Sequence, residues 1–149
     1  MKIVFTANGS PLSRAIRGIT GEPVSHVIIV QDDTVFQSNL FGVGMETLAK
    51  FTSGGSALVY SLDFPDDYPR LIQSMGRLNR STYDFLALVY VGLALILKHY
   101  LKIPLPKRNP WSISGAYMCT EFVTATLGAE DTMVTPYQLY LQLKAKLGQ

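Results

Sequence analysis

This chain of 149 residues holds one cysteine, two histidines and one tryptophan. A single cysteine excludes an internal disulfide and any cysteine-rich metal site. Two histidines, His26 and His99, leave too few ligands for a zinc cluster. No metal and no cofactor is therefore expected. Charge is also scarce, at 16% of residues with a net charge of +2. That is too little positive charge to point to nucleic acid. The longest uncharged apolar run, residues 85–97, falls short of the roughly 20 residues a membrane span needs. The opening run Met1-Lys2-Ile3-Val4-Phe5 is too short for a secretion signal, and Asn8, Ser10 and Arg14 follow soon after. The expectation is synthesis in the cytoplasm. No internal repeat and no low-complexity segment is visible.

What is abundant is apolar surface, with 48% of residues hydrophobic. That amount supports one domain over 1–149 with a real core. Residues 3–7 read as a short strand. Ser10 suits a helix N-cap, with Pro11 at the first helical position. Leu12, Ala15, Ile16 and Ile19 follow at helical spacing. Gly42-Val43-Gly44 reads as a loop or bend, residues 45–51 fit neither period, and residues 52–56 read as a flexible loop. Residues 57–62 form another strand candidate. Tyr68, Leu71, Ile72, Met75 and Leu78 mark an amphipathic helix. Thr135-Pro136-Tyr137-Gln138 is a capping box that opens a final helix, ended by Gly148. The reading is α+β: a small antiparallel sheet packed against helices.

Two stretches carry candidate chemistry. In the first, Ser25 to Gln31 is a β-branched run, Asp32-Asp33 suits a tight turn, and Thr34 to Leu40 is a second strand. A two-residue turn pairs Gln31 with Thr34, Ile28 with Gln37 and His26 with Asn39. His26, Ile28, Gln37 and Asn39 then share one face. Either Gln37, on the diagonal, or Asn39, directly opposite, can reach the imidazole.

In the second stretch, Gly115 and Ala116 favour a turn, and Phe122, Val123 and Leu127 mark a short helix capped by Gly128. Cys119 falls in its first turn. Unpaired backbone N–H groups and the helix dipole there favour a thiolate. A lone cysteine is ordinarily a small buried hydrophobe. A histidine with a polar partner is what turns it towards catalysis. The histidine takes the thiol proton, an amide orients the ring, and the Cys119 N–H can donate to an oxyanion. Glu121 suits a helix-start stabiliser. His99 reads as the polar end of a core helix.

Taken together, Ser25-His26-Val27, Val35-Phe36-Gln37-Ser38 with Gly42-Val43, Tyr83-Asp84 and Tyr117-Met118-Cys119-Thr120-Glu121-Phe122-Val123 resemble the circularly permuted papain-like hydrolases of the NlpC type, in the style of the YiiX and YebB group. Histidine comes first and cysteine late, as in the permuted branch. The resemblance implies a permuted papain-like domain with Cys119 as nucleophile, His26 as base and Gln37 as the third polar residue. Tyr117, Ser25 and Asn39 then fall on the substrate side. Glutamate is common where Gln37 stands. A glutamine orients the ring but brings no charge to an imidazolium.

The expected activity is that of a cysteine hydrolase, a peptidase or amidase working through an acyl-enzyme on a peptide or acyl-amide. The resemblance favours peptidoglycan stem peptides, which implies release to the cell wall or carriage on a phage particle. Two rivals stand beside it. One is a lipid acyl hydrolase or acyltransferase of the lecithin retinol acyltransferase type. It is motivated by the 85–108 segment, where an apolar run meets Lys98, Lys102, Lys107 and Arg108, with no acidic residue from 85 to 120. The other is a catalytically idle binding or structural module.

Overall fold

Four apolar runs expected as strands, together with a glycine-bearing fifth segment, become the strands of one sheet. A computed structural model describes residues 1–65, 68–78, 89, 90, 93, 94, 97, 101, 118–128 and 134–148. The strands are β1 (Lys2–Ala7), β2 (His26–Gln31), β3 (Thr34–Asn39), β4 (Gly42–Thr47) and β5 (Ala57–Asp63). Their order is β4-β3-β2-β1-β5, and every pairing is antiparallel. The helices are α1 (Pro11–Thr20), α2 (Leu48–Ser53), α3 (Tyr68–Leu78), α4 (Cys119–Leu127) and α5 (Pro136–Leu147). The coarse class is thus α+β.

The β2–β3 hairpin has the expected register: Gln31 pairs with Thr34, and Val30 with Val35. Asp32 and Asp33 both adopt positive φ, at 47° and 61°. Two left-handed residues in succession give the turn whose twist matches the flanking strands. One reading needs correction. Gly42-Val43-Gly44 is not a bend but the first half of β4. Its pairing runs from Asn39 with Gly42 to Thr34 with Thr47. Glycine has low strand propensity, and the ladder with β3 overrides it here. Residues 48–53 then form α2, so Thr52 and Ser53 belong to a helix rather than to a loop.

Alternation divides the sheet's side chains between two layers. One face carries Ile3, Phe5, Val27, Ile29, Phe36 and Val43. Against it pack Leu71 and Met75 of α3, Cys119, Phe122 and Val123 of α4, and Leu139 and Leu143 of α5. Tyr140 of α5 stacks on Tyr60 at 4.5 Å and meets Phe5 edge-on at 5.3 Å. The other face carries Val4, Ile28 and Val35, covered by Phe51 and Leu48 of α2. Helix ends are capped as their sequences demand. Ser10 Oγ accepts the Ser13 N–H, and Thr135 Oγ1 accepts the Gln138 N–H. Among the described residues, no helix is long and apolar enough to cross a membrane.

Candidate functional site

His26 opens β2, and Gln37 lies one pair further along β3. The tight Asp-Asp turn fixes their register, so both side chains project to the face of Ile28 and Val35. There His26 Nε2 meets Gln37 Oε1 at 2.9 Å. Gln37 Nε2 in turn donates to Glu46 Oε1 at 2.6 Å. A carboxylate oxygen accepts, so the Gln37 amide must turn its NH2 towards Glu46 and its carbonyl towards the ring. The ring nitrogen facing that carbonyl must then carry the proton. His26 is the Nε2–H tautomer, and Nδ1 keeps its lone pair.

Burial pushes the His26 pKa below the usual histidine value, and the Gln37 hydrogen bond partly opposes this. The imidazole is therefore neutral around pH 7, the form a general base requires.

These groups line a cleft of about 680 Å³. Its walls come from the start of α1 (Ser10, Leu12, Ser13, Ile16), the sheet (Ser25, His26, Gln37, Asn39, Glu46) and α2 (Lys50, Phe51). Leu40 and Phe41 of the β3–β4 turn stand at its edge, and Phe41 is 98% exposed. Of the two candidates to orient the ring, Gln37 does so. The Asn39 carboxamide instead accepts the Phe41 N–H at 2.9 Å. Ser25 lines the cleft, but its hydroxyl is buried against Ser13 Oγ at 2.6 Å, which ties α1 to the start of β2. Tyr117, Tyr83, Asp84 and His99 lie outside the described residues.

Cys119 is the first residue of α4, as its sequence suggests. Glu121 Oε2 accepts the Met118 N–H at 2.7 Å, so Glu121 does stabilise the helix start. The thiol, however, is not the readily ionised group expected of a helix N-terminus. It is 7% exposed and packs in the layer of Val27, Ile29 and Phe122. Burial pushes its pKa up to about 11, against smaller opposing contributions from the backbone groups of Val27, Thr120 and Cys119, while the Glu121 charge raises it further. Desolvation outweighs the helix terminus because the dipole effect is worth at most about 2 kcal/mol.

The sulfur approaches the backbone of Val27, the residue after His26, but from the α4 side of the sheet. The imidazole projects to the other side. The structure thus joins His26 to Gln37 and leaves Cys119 out of that hydrogen-bonded chain.

Glu46 is the functional candidate that sequence reading misses. Its only signal is its place two residues after Gly44, and that becomes legible once 42–47 is known to be a strand. No family model matches the chain, and no curated protein matches it.

Proposed function

We propose that the chain is a cysteine hydrolase of the permuted papain-like kind, cleaving amide bonds with Cys119 as nucleophile and His26 as base. The observation that carries this reading is the His26–Gln37–Glu46 chain at the cleft, which leaves Nδ1 as a free acceptor. In the described conformation both thiol and imidazole are uncharged near pH 7. Catalytic hydrogen bonds are often incomplete before substrate arrives. Sγ and the imidazole stand on opposite faces of the sheet here, so turnover requires a rearranged state in which the start of β2 turns the His26 ring to the α4 side, with Sγ and Nδ1 about 3–3.5 Å apart.

From there the step is ordinary thiol chemistry. The Cys119 proton passes to Nδ1 as sulfur adds to the carbonyl carbon, and the carbonyl π pair moves to oxygen. The Cys119 N–H donates to that oxyanion. The C–N bond then breaks, and the departing amine takes the proton from His26. Water, deprotonated by His26, cleaves the thioester and restores the thiol. Peptidoglycan stem peptides are the proposed substrates. Cys119→Ala is expected to lower kcat/KM on them by roughly a thousandfold or more. Cleavage by Cys119→Ala at the parental rate ends the proposal. A parent that cleaves neither amides nor acyl lipids is a binding module instead.

A specific observation favours a second substrate class, lipid acyl chains. Val89, Leu93, Leu97 and Leu101 are helical, spaced by four, and exposed. Apolar residues at that spacing, in a sequence segment that also carries Lys98, Lys102, Lys107 and Arg108, suit a lipid surface. Acyl release from phospholipid vesicles, lost in Cys119→Ala, tests this reading against the first.

A further inference from the structure

Gln37 brings no charge to His26, yet a carboxylate stands directly behind it. In the β3–β4 ladder Gln37 pairs with Gly44, and Val35 with Glu46. Gly44 has no side chain to fill the position opposite Gln37. Nothing lies within 4 Å of where its Cβ would be. The diagonal neighbour Glu46 therefore reaches across, and diagonal pairs are within range of long side chains. Its two carboxylate oxygens have different partners. Oε1 takes the Gln37 amide at 2.6 Å, and Oε2 faces Lys50 Nζ at 3.8 Å. The carboxylate is only 23% exposed, whereas Lys50 is 76% exposed, so the amide is the better-held partner.

We propose that Glu46 is a positioning residue: through Gln37 it sets the tautomer of His26 and supplies, at one remove, the negative charge that glutamine lacks. Satisfied valences decide how the Gln37 amide is turned. A carboxamide offers two nearly isosteric ends, and alone it could present either to the ring. Presenting NH2 would force the facing ring nitrogen to be the acceptor and put the proton on Nδ1, where it blocks base catalysis. Glu46 removes that choice, because only the NH2 end can bond a carboxylate. When the imidazole takes a proton, the same carboxylate polarises the amide and favours the cation. Lys50 on α2 opposes this from the other oxygen. Among the described residues lining the cleft, His26, Glu46 and Lys50 are the ionisable groups.

The proposal rests on the hydrolase reading for its purpose, but its test does not use turnover. The experiment is nitrogen-15 NMR of the His26 ring across pH in the full chain, for the parent, Glu46→Gln and Glu46→Ala. The parent is expected to show a protonated Nε2 and a bare Nδ1 above its titration. In Glu46→Ala the amide is free to rotate, so both tautomers appear and the midpoint falls by about half a unit. In Glu46→Gln the charge is gone and the new carboxamide can turn either end to Gln37, so the preference for Nε2–H weakens and the midpoint falls. A parental ring tautomer and midpoint in both variants, with the remaining amide spectrum unchanged, would overturn the proposal. A misfolded Glu46→Ala leaves the isosteric glutamine variant to decide. Failure here leaves the Cys119→Ala result untouched, so the two readings fail separately.

Discussion

At the scale of single residues, Cys119 and His26 set opposite ends of one pH window. The folded thiol has its pKa raised from 9.0 to about 11, so the folded state holds its proton after the unfolded chain has released it. The associated stability is full below pH 9 and is lost between 9 and 11. A shift of that size corresponds to about 3 kcal/mol. His26 is displaced downward, and here too burial disfavours the charged form. The unfolded chain binds a proton below about 6.5 while the folded one resists. Stability from this group is therefore full above that value and falls as pH drops through the folded pKa. The plateau between the two is expected at roughly pH 7–9. Urea midpoints measured at pH 8 and pH 11 check the alkaline edge. The parent should lose more stability than Cys119→Ala over that interval, since lysines and tyrosines titrate in both. Equal losses would mean that the sulfur is far better solvated than its packing implies. The same burial makes alkylation by iodoacetamide slow at pH 7, with the rate rising about tenfold per pH unit towards 11.

At the scale of elements, the β2–β3 hairpin holds the histidine and its orienting amide in register, and its turn can be improved. Asp33 adopts φ 61°, a conformation glycine enters without steric cost. Asp33→Gly is expected to raise stability by about 0.5 kcal/mol and to leave the His26–Gln37 hydrogen bond intact. Thermal unfolding measures the first and the ring spectrum the second. A loss of stability would show that the Asp33 side chain does more than occupy the turn. The hairpin was legible because several local signals agree: the β-branched run, the paired aspartates and the period of two. The helix caps at Ser10 and Thr135 were legible for the same reason. β4 was not, because its glycines hide the period, and partnership with β3 decides it. Glu46 was hidden with it. The layer that Cys119 occupies was hidden too. A short helix of mixed small and apolar residues can dock on either face of a sheet, and only packing against Val27, Ile29 and Phe122 selects one.

At the scale of the whole molecule, the remaining question is where this domain works. Val89, Leu93, Leu97 and Leu101 stand four apart in the sequence, each in helical backbone and each exposed, Leu101 to 61%. Single exposed leucines need no explanation, but four at helical spacing do. The sequence around them has Lys98, Lys102, Lys107 and Arg108, and no acidic residue from 85 to 120. An anionic bilayer matches both features. Each basic residue near such a surface contributes about 1 kcal/mol, and a leucine moved out of water contributes about 1.5–3 kcal/mol. The chain is therefore expected to co-sediment with vesicles containing about 30% phosphatidylserine at low salt, and much less with neutral phosphatidylcholine. Raising ionic strength should weaken the charged part of the attraction, because screening shortens its range to about 8 Å near physiological salt. Exchanging Leu93 and Leu97 together for serine should lower the vesicle affinity at least tenfold at every salt concentration. Binding that follows salt but ignores the serine exchange would assign the contact to charge alone. Failure to sediment with anionic vesicles at low salt would remove the lipid surface, and with it the main support for an acyl-lipid substrate, leaving peptide amides as the chemistry to assay.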